Sequence, residues 1–320
     1  MEDEVPEPAP GEVRLRVLAA GVARADILMR TGHYPLSLPP FPFSPGYDVV
    51  GEVEKIGENV DNVEKSQRVA ALTKFGGYGE YVCVPKEWLA PVNEGLDPAE
   101  AVSLVLNGLT AYQMFNRFAK VQPGEQVLFH GAGSGVSAIL LQLGSMIDCQ
   151  MFGTDSQAKL TMVEELGAVS IDYQREDFVA RIKELTKEGV HAAFDNVGGL
   201  HLWRSFRSLR RAGRLIAYGE MALASTDHPA LSDRFAQRYF PRLLNLGLSG
   251  KSATWYENYP VNKNNPDWYQ DDLKMLFQML KDGKLRPVIS GRFPLEQARQ
   301  ANELLESSTV PGKIVLVMDE

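Results

Sequence analysis

Apolar and polar residues alternate along the first hundred positions with the period of two that a half-buried strand imposes. In VRLRVLA (13–19), Val13, Leu15, Val17 and Ala19 share one face, and Arg14 and Arg16 share the other. VVGEVEKIG, RVAALT and GEYVCV repeat the rhythm with turn residues between them, which predicts a small, irregular β region. From about residue 111 the rhythm changes. Short apolar strands now alternate with amphipathic helices. VLF (127–129) precedes a helix with Val136, Ile139, Leu140 and Leu143 on one face, and QMFG (150–153) precedes one carrying Leu160, Val163 and Leu166. AAF (192–194) leads to a helix with Leu202, Phe206 and Leu209, and RLIAY (214–218) follows. Such alternation predicts a doubly wound parallel sheet. Beyond it come a helix with Leu273, Leu276, Phe277 and Leu280, a strand near 288–293, a helix after Pro294, and a last strand KIVLV (313–317).

Composition narrows the class. The 320 residues suffice for two ordinary domains, and 44% hydrophobic with 23% charged residues is usual for a globular chain. No apolar run approaches the ~18 residues of a membrane span. The acidic, proline-rich start MEDEVPEPAP is the reverse of a secretory signal. A net charge of −8 argues against a nucleic-acid partner. The two cysteines, Cys83 and Cys149, form no CxxC, which fits a reducing, cytoplasmic setting and excludes a cysteine-built zinc site.

The segment VLFHGAGSGVSAILLQLG carries the most chemistry. A strand ending at His130 runs into the small-residue turn GAGSGVS (131–137), and GxGxxA fits Gly133, Gly135 and Ala138. Small residues let the backbone turn sharply and approach a pyrophosphate, whose charge then meets the helix N-terminus. Asp155 stands 20 residues beyond Gly135, at the end of the next strand, where a ribose contact belongs. A tight strand–helix turn also uses glycine for geometry alone; the flanking strand, helix and acid favour the dinucleotide.

Further motifs extend along nearly the whole chain: PEPAPGEVRLRVLAAGV (6–22), DxxxRxGxYP from Asp26 to Pro35, PGYDVVGEVEKIGENV (45–60), NGLTAY (107–112), VQPGEQVLFHGAGSGVS (121–137), AAFDNVGG (192–199), GRLIAYG (213–219) and PGKIVLV (311–317). Together they resemble the medium-chain dehydrogenase/reductase superfamily, specifically its zinc-independent quinone oxidoreductase branch. The resemblance implies an α/β fold: a GroES-like, β-rich catalytic domain from residues 1–110 and 251–320, and a doubly wound, parallel-sheet Rossmann domain from 111–250. It also implies a homodimer. Members of the family carry an initial strand and hairpin ahead of the segment matching PEPAP; without it, strand 13–19 is expected to expose an edge.

Carried over residue by residue, the resemblance places Gly131, Ala132, Gly133, Ser134, Gly135 and Val136 at the cofactor pyrophosphate. Arg24 and Lys313 match arginines that contact pyrophosphate in the zinc dehydrogenases; both also read as solvated cations. Asn107 and Thr110 match a stretch lining the nicotinamide, or serve helix capping and packing. Asn196, Val197 and Gly219 end strands where Rossmann ligands sit. Ser156, Lys159 and Tyr173 match the pattern used on a 2′-phosphate, whereas Asp155 suits the free hydroxyls of NADH. A charge-assisted bond from Lys159 contributes roughly 1.5–3 kcal/mol. A carboxylate about 5 Å from a phosphate costs roughly 3 kcal/mol at a dielectric of ~20. The rotamer of Asp155 therefore decides, and the resemblance tips the choice to NADPH over NADH.

Zinc alcohol dehydrogenases carry cysteine at the position of Ala23, His–Glu at Tyr47–Asp48, and a cysteine near Leu106; these replacements remove the metal's ligands. The five histidines, at 33, 130, 191, 201 and 228, form no i,i+4 pair. No metal is expected. Tyr47 then becomes the candidate catalytic residue, a phenol able to donate to a developing oxyanion, or else an aromatic wall. Tyr34 matches a tyrosine of the quinone site. Quinone-reducing relatives carry asparagine and tyrosine at Ala23 and Leu28, so their substrate geometry does not transfer intact. Trp255, Tyr256 and Tyr259 lie in SATWYENYP, which reads as an aromatic loop over the substrate, a surface loop or a dimer contact. Residues around 220–265 are expected to set acceptor size. The sequence thus points to a zinc-independent NAD(P)H-dependent reductase of a small-molecule quinone or enone. The alternative is a catalytically weak NAD(P)H-binding redox sensor or partner-binding module.

Overall fold

The computed structural model describes residues 4–34, 38–219, 239–247 and 250–318. Pro35, the end of DxxxRxGxYP, and the 220–238 part of the expected acceptor loop lie outside the described residues. The chain divides into two compact units, Met1–Leu109 with Asn258–Glu320, and Thr110–Glu257. Among the described residues no helix is long and apolar enough to cross a membrane.

The first unit is the GroES-like domain. Its strands are β1 (Glu12–Val22), β2 (Asp48–Ile56), β3 (Arg68–Leu72), β4 (Tyr81–Pro85) and β5 (Leu89–Pro91), with β12 (Ile289–Pro294) and β13 (Lys313–Val317) from the far end of the chain. They form one sheet in the order β12-β13-β1-β2-β3-β5, with β4 also on β1. Pairing is antiparallel except between β12 and β13. Val13, Leu15 and Val17 are buried as their alternation requires, and pack with Val49, Val69, Ala301 and Leu316. Arg14 and Arg16 on the other face pair with Glu54 at 2.6 Å and Glu52 at 2.8 Å, cross-strand contacts typical of a half-solvated sheet. The exposed edge expected for 13–19 is absent. Residues 13–20 pair with β2 on one side, while β4 takes Glu12–Arg16 and β13 takes Ala19–Val22 on the other.

The second unit is the Rossmann domain. Its strands β6 (Gln126–His130), β7 (Gln150–Asp155), β8 (Val169–Asp172), β9 (Val190–Asp195), β10 (Leu209–Ala217) and β11 (Ser252–Trp255) form a sheet ordered β11-β10-β9-β6-β7-β8. Every pairing is parallel. This is the dinucleotide-fold order, whose direction reverses between β6 and β9, and ligands bind beyond the carboxyl ends of the strands at that point. The interior strands are apolar on both faces because helices cover both. Leu128, Phe152, Ala193 and Leu215 pack with Phe178, Ile182 and Phe206 from the helices Phe178–Thr186 and His201–Arg207. Leu209, expected on a helix, opens β10 instead, since the helix stops at Arg207. β8 and the helix Phe178–Thr186 were not legible in the hydrophobic pattern.

Candidate functional site

The turn after β6 is shaped by what its glycines exclude. Gly131 has a positive φ of 57°, and a Cβ there would fall 2.5 Å from Asn196 Nδ2. At Gly133 a Cβ would meet Lys159 Cδ at 2.6 Å and Asp155 Oδ2 at 3.0 Å. Buried Ala132 donates its N–H to Thr154 O at 3.0 Å, which fastens the turn to β7. Ser134 is the N-cap of the helix Gly135–Ser145, and its Oγ accepts from Ser137 N–H at 3.3 Å. Gly135 and Val136 form the first turn of that helix, whose N–H groups lack intrahelical acceptors. Such a terminus favours an anion.

Asp155 closes this turn from below. Its Oδ2 accepts the Gly133 N–H at 2.8 Å and its Oδ1 accepts the Ser156 N–H at 2.8 Å. Lys159 Nζ lies 3.7 Å from Oδ1, and the Asp155 side chain is only 6% exposed. The rotamer left open by the sequence is thus turned inward, onto the glycine turn. Ser156 and Lys159 flank it, and Tyr173, 54% exposed, begins the segment after β8.

At the point where strand order reverses, Asn196, Val197 and Gly219 do sit at strand ends. A Cβ on Gly219 would lie 2.4 Å from Asn196 O, so only glycine lets β10 end so close to this loop. Asn196 is 7% exposed, and its Oδ1 has no hydrogen-bond partner. A buried amide oxygen without a partner costs about 1–3 kcal/mol, and an acceptor held at the mouth of the turn is what a bound amide or hydroxyl would satisfy. Beneath lies a polar cluster with no counterpart among the sequence candidates. His130 Nδ1 is 2.8 Å from Thr154 Oγ1 and its Nε2 is 3.0 Å from Ser205 Oγ. Ser205 donates to Asp195 Oδ2, and His201 Nδ1 lies 2.7 Å from the same oxygen. Asp195 Oδ1 accepts the N–H groups of Val197 at 2.8 Å and Gly198 at 3.0 Å. Burial, reinforced by the charge of His201, pushes His130 down to about 3, so its ring is neutral. Burial opposes ionisation of Asp195, but bonds from His201 and Ser205 outweigh it and hold this carboxyl well below the ordinary range. Although the donor atoms of His130, Asp195 and His201 lie within 4.8 Å of one another, each is already engaged in these bonds.

In the GroES-like unit, Tyr47 is 5% exposed and directly precedes β2. The Tyr34 hydroxyl donates to the Tyr47 hydroxyl at 3.0 Å, and their rings meet edge to face. Behind them Asp26 ties three segments together. Its Oδ1 accepts the Gly46 N–H at 2.9 Å; its Oδ2 accepts the Ala23 N–H at 2.8 Å and the Tyr78 hydroxyl at 3.1 Å. Burial pushes Asp26 up to about 6 against those bonds. Asp48 is fully buried with Lys313, whose Nζ is 3.4 Å from both carboxylate oxygens, and accepts the Leu106 N–H at 3.2 Å. Gly21 leaves room for this pair, since a Cβ there would fall 2.3 Å from Asp48 Oδ1.

The comparisons with known proteins agree with this architecture. A family model for the alcohol dehydrogenase GroES-like domain matches residues 9–94, and one for zinc-binding dehydrogenase matches 166–316. The synaptic vesicle membrane protein VAT-1 homolog of Rattus norvegicus is 30% identical over 317 residues, covering 98% of this chain and 78% of that protein. A 2-haloacrylate reductase of Burkholderia is 30% identical over 328 residues, 99% of this chain and 93% of that one. The chain belongs to the medium-chain dehydrogenase/reductase superfamily. Within it, the solved quinone oxidoreductase of Escherichia coli, complexed with NADPH, overlays with a TM-score of 0.86 at 25% identity, covering 99% of this chain and 94% of that one. This superfamily branch is one of oxidoreductases.

Against the superfamily pattern several assignments change. Lys313 is 3% exposed and committed to Asp48, so it is no solvated cation, and a pyrophosphate contact would require breaking a buried ion pair. Arg24, by contrast, spends one guanidinium N–H on Ser308 Oγ at 2.9 Å. Asn107 lies in a π-helical turn, Leu104–Gly108, and Thr110, 7% exposed, in the helical turn after it. Such widened turns recur at functional sites. SATWYENYP is the strand Ser252–Trp255 and the start of the helix Asn258–Asn264, joined by Tyr256 and Glu257. Trp255 ends β11; Tyr256 is 2% exposed and donates to Gln113 Oε1 at 2.8 Å; Tyr259, in the helix Asn258–Asn264, stacks on Trp88. These aromatics are packed by their neighbours. Tyr218 was missed: its hydroxyl lies 3.3 Å from Ser137 Oγ, against the glycine turn.

Proposed function

We propose that the chain is a zinc-independent, NADPH-preferring reductase of quinones or α,β-unsaturated carbonyls that works by direct hydride transfer. The observation that carries the reading is the inward rotamer of Asp155. With its oxygens on the Gly133 and Ser156 N–H groups and beside Lys159, the carboxylate braces the turn instead of presenting itself to ribose hydroxyls. Its charge is offset where a 2′-phosphate would arrive, which leaves Ser156, Lys159 and Tyr173 as that group's ligands. Gly131 to Val136 would take the pyrophosphate, and Thr110, Asn196, Val197 and Gly219 the nicotinamide end. The solved Escherichia coli relative, complexed with NADPH, supports the same choice.

NADPH, when bound, supplies the hydride. The protein's own part is to orient the acceptor, exclude water and donate a proton to the oxygen on which negative charge develops. Tyr47 is the donor in this reading. By donating to Tyr47, Tyr34 polarises it and strengthens it as an acid. Zinc does not fit the corresponding positions: Ala23 and Leu106 offer no side-chain donor, and Asp48 is taken up by Lys313 and a backbone N–H. The reading includes a homodimer, which light scattering on the purified chain tests.

The decisive assay follows the reduced-nicotinamide absorbance with NADPH and NADH separately, against a panel of quinones and enones. Acceptor-dependent oxidation that is faster with NADPH supports the reading. Tight binding of either cofactor with no oxidation overturns it in favour of a binding module. In the same assay Lys159→Ala is expected to weaken NADPH by roughly 10–100-fold and NADH little, the loss of one charge-assisted bond. Equal weakening of both would remove Lys159 from the 2′-phosphate.

A further inference from the structure

The cluster under the strand-order reversal has a single consistent proton arrangement. Asp195 is ionised and accepts only, so the Ser205 proton points to Asp195 Oδ2. Ser205 Oγ must then accept from His130 Nε2–H, which makes Nδ1 the acceptor of the Thr154 hydroxyl. The wire therefore runs one way, from Thr154 on β7 through His130 on β6 and Ser205 to Asp195 on β9. At its end Asp195 Oδ1 holds the Val197 and Gly198 N–H groups. Those two bonds set the turn that presses Asn196 against Gly131 and Gly219. Ser205, Asp195 and His130 are all fully buried, so no solvent competes for any link.

We infer that His130 and Ser205 are positioning residues: acting through Asp195, the neutral Nε2–H tautomer of His130 holds the Asn196–Gly198 turn in the shape that receives the nicotinamide half of the cofactor. The inference rests on the dinucleotide reading above. The adenosine half, with Ser156, Lys159 and Tyr173, stands outside the wire. Loss of a link is therefore expected to separate the two halves of one ligand.

The test uses the full chain with two ligands, NADPH and the fragment adenosine 2′,5′-bisphosphate, titrated by fluorescence or calorimetry. Ser205→Ala is expected to weaken NADPH by ~10-fold, the equivalent of one net hydrogen bond, while the fragment binds as to the wild type. His130→Leu should behave likewise. His130→Gln, whose amide can still donate to Ser205, should recover most of the loss. Histidine 15N spectra should show His130 protonated at Nε2 and bare at Nδ1 throughout the neutral and mildly acid range. Equal weakening of both ligands, unchanged NADPH affinity in Ser205→Ala and His130→Leu, or an Nδ1–H tautomer would each overturn the inference. Failure of the wild type to bind NADPH or NADH is a different result, and it would instead remove the dinucleotide reading itself.

Discussion

Each unit buries a carboxylate directly beneath a loop that carries candidate site residues, and the two are held in opposite ways. Asp195 in the Rossmann unit and Asp26 in the GroES-like unit are both all but inaccessible to solvent, at 0% and 1% exposed. Desolvation therefore opposes the charge on both. What differs is the company. Asp195 receives His201 and Ser205 side-chain donors as well as two backbone N–H groups, and it stays ionised far below neutrality. Asp26 receives two N–H groups and the Tyr78 hydroxyl, while the neighbouring Asp48 charge works against it, and burial wins. Burial alone therefore does not set the charge of a buried acid; the count and polarity of its donors do. The Rossmann loop is pinned at every working pH, whereas the segment leading to Tyr47 rests on a group that titrates near neutrality.

The sharpest way to break this contrast is to remove the charge from the pinned member. Asp195→Asn removes the charge, and its amide N–H₂ either meets the Val197 and Gly198 N–H donors or requires Ser205 and His201 to turn round and accept. The loss of unfolding free energy should be about 3–5 kcal/mol, the range for breaking a buried charged network. Urea midpoints measure it, and a loss below about 1 kcal/mol would show that the charge is not what holds the loop. The next effect separates chemistry from binding. Tyr47→Phe should lower enone reduction by ~100-fold or more, the low end of a lost proton donor, with NADPH affinity unchanged. Unchanged turnover would leave Tyr47 as a wall. Variants at Ser205 are expected to weaken NADPH binding, which Tyr47→Phe does not, so cofactor affinity tells the two units apart.

How much of this was legible in the chain follows from the range of each signal. The alternation at 13–19 and the strand–turn–helix at 127–143 are local patterns, and both folded as their periods require. The glycines of the turn were legible for the same reason, because a small residue is demanded by neighbours close in sequence. Ser205 and His130 were not, since 75 positions separate them and only the parallel crossover brings them within 3.0 Å. Lys313 was read as a surface cation or a phosphate ligand; its partner Asp48 is 265 positions away, across β13, β1 and β2. Asp155 shows the middle case: its place was legible, its rotamer was not, and the proposed preference for NADPH rests on the rotamer. Aromatic residues at 255–259 misled because their spacing says nothing of whether solvent or protein faces them.

The smallest effect is the most specific to the contrast. Asp26 has a folded pKa of about 6, above the ordinary carboxylate value near 3.9 that the unfolded chain restores. A raised carboxyl pKa means that the ionised form is disfavoured on folding. The penalty is in full force above about 6 and is relieved as pH falls from about 6 toward about 4. A difference of roughly two pH units corresponds to a gain on the order of 2 kcal/mol across that window. The proton has a place to go, because Tyr78 can turn its hydroxyl round and accept from Asp26 Oδ2. Other carboxylates lose stability over the same window, so the quantity to measure is the difference between wild type and Asp26→Asn. The amide cannot titrate, and it meets the Ala23 or Gly46 N–H with a donor, so the variant should start less stable at every pH. Its deficit should then widen as pH falls from about 6 to about 4, because only the wild type collects the gain. A deficit that stays constant across the window would mean that Asp26 remains ionised throughout, held by its donors as firmly as Asp195 is, and the two units would no longer differ.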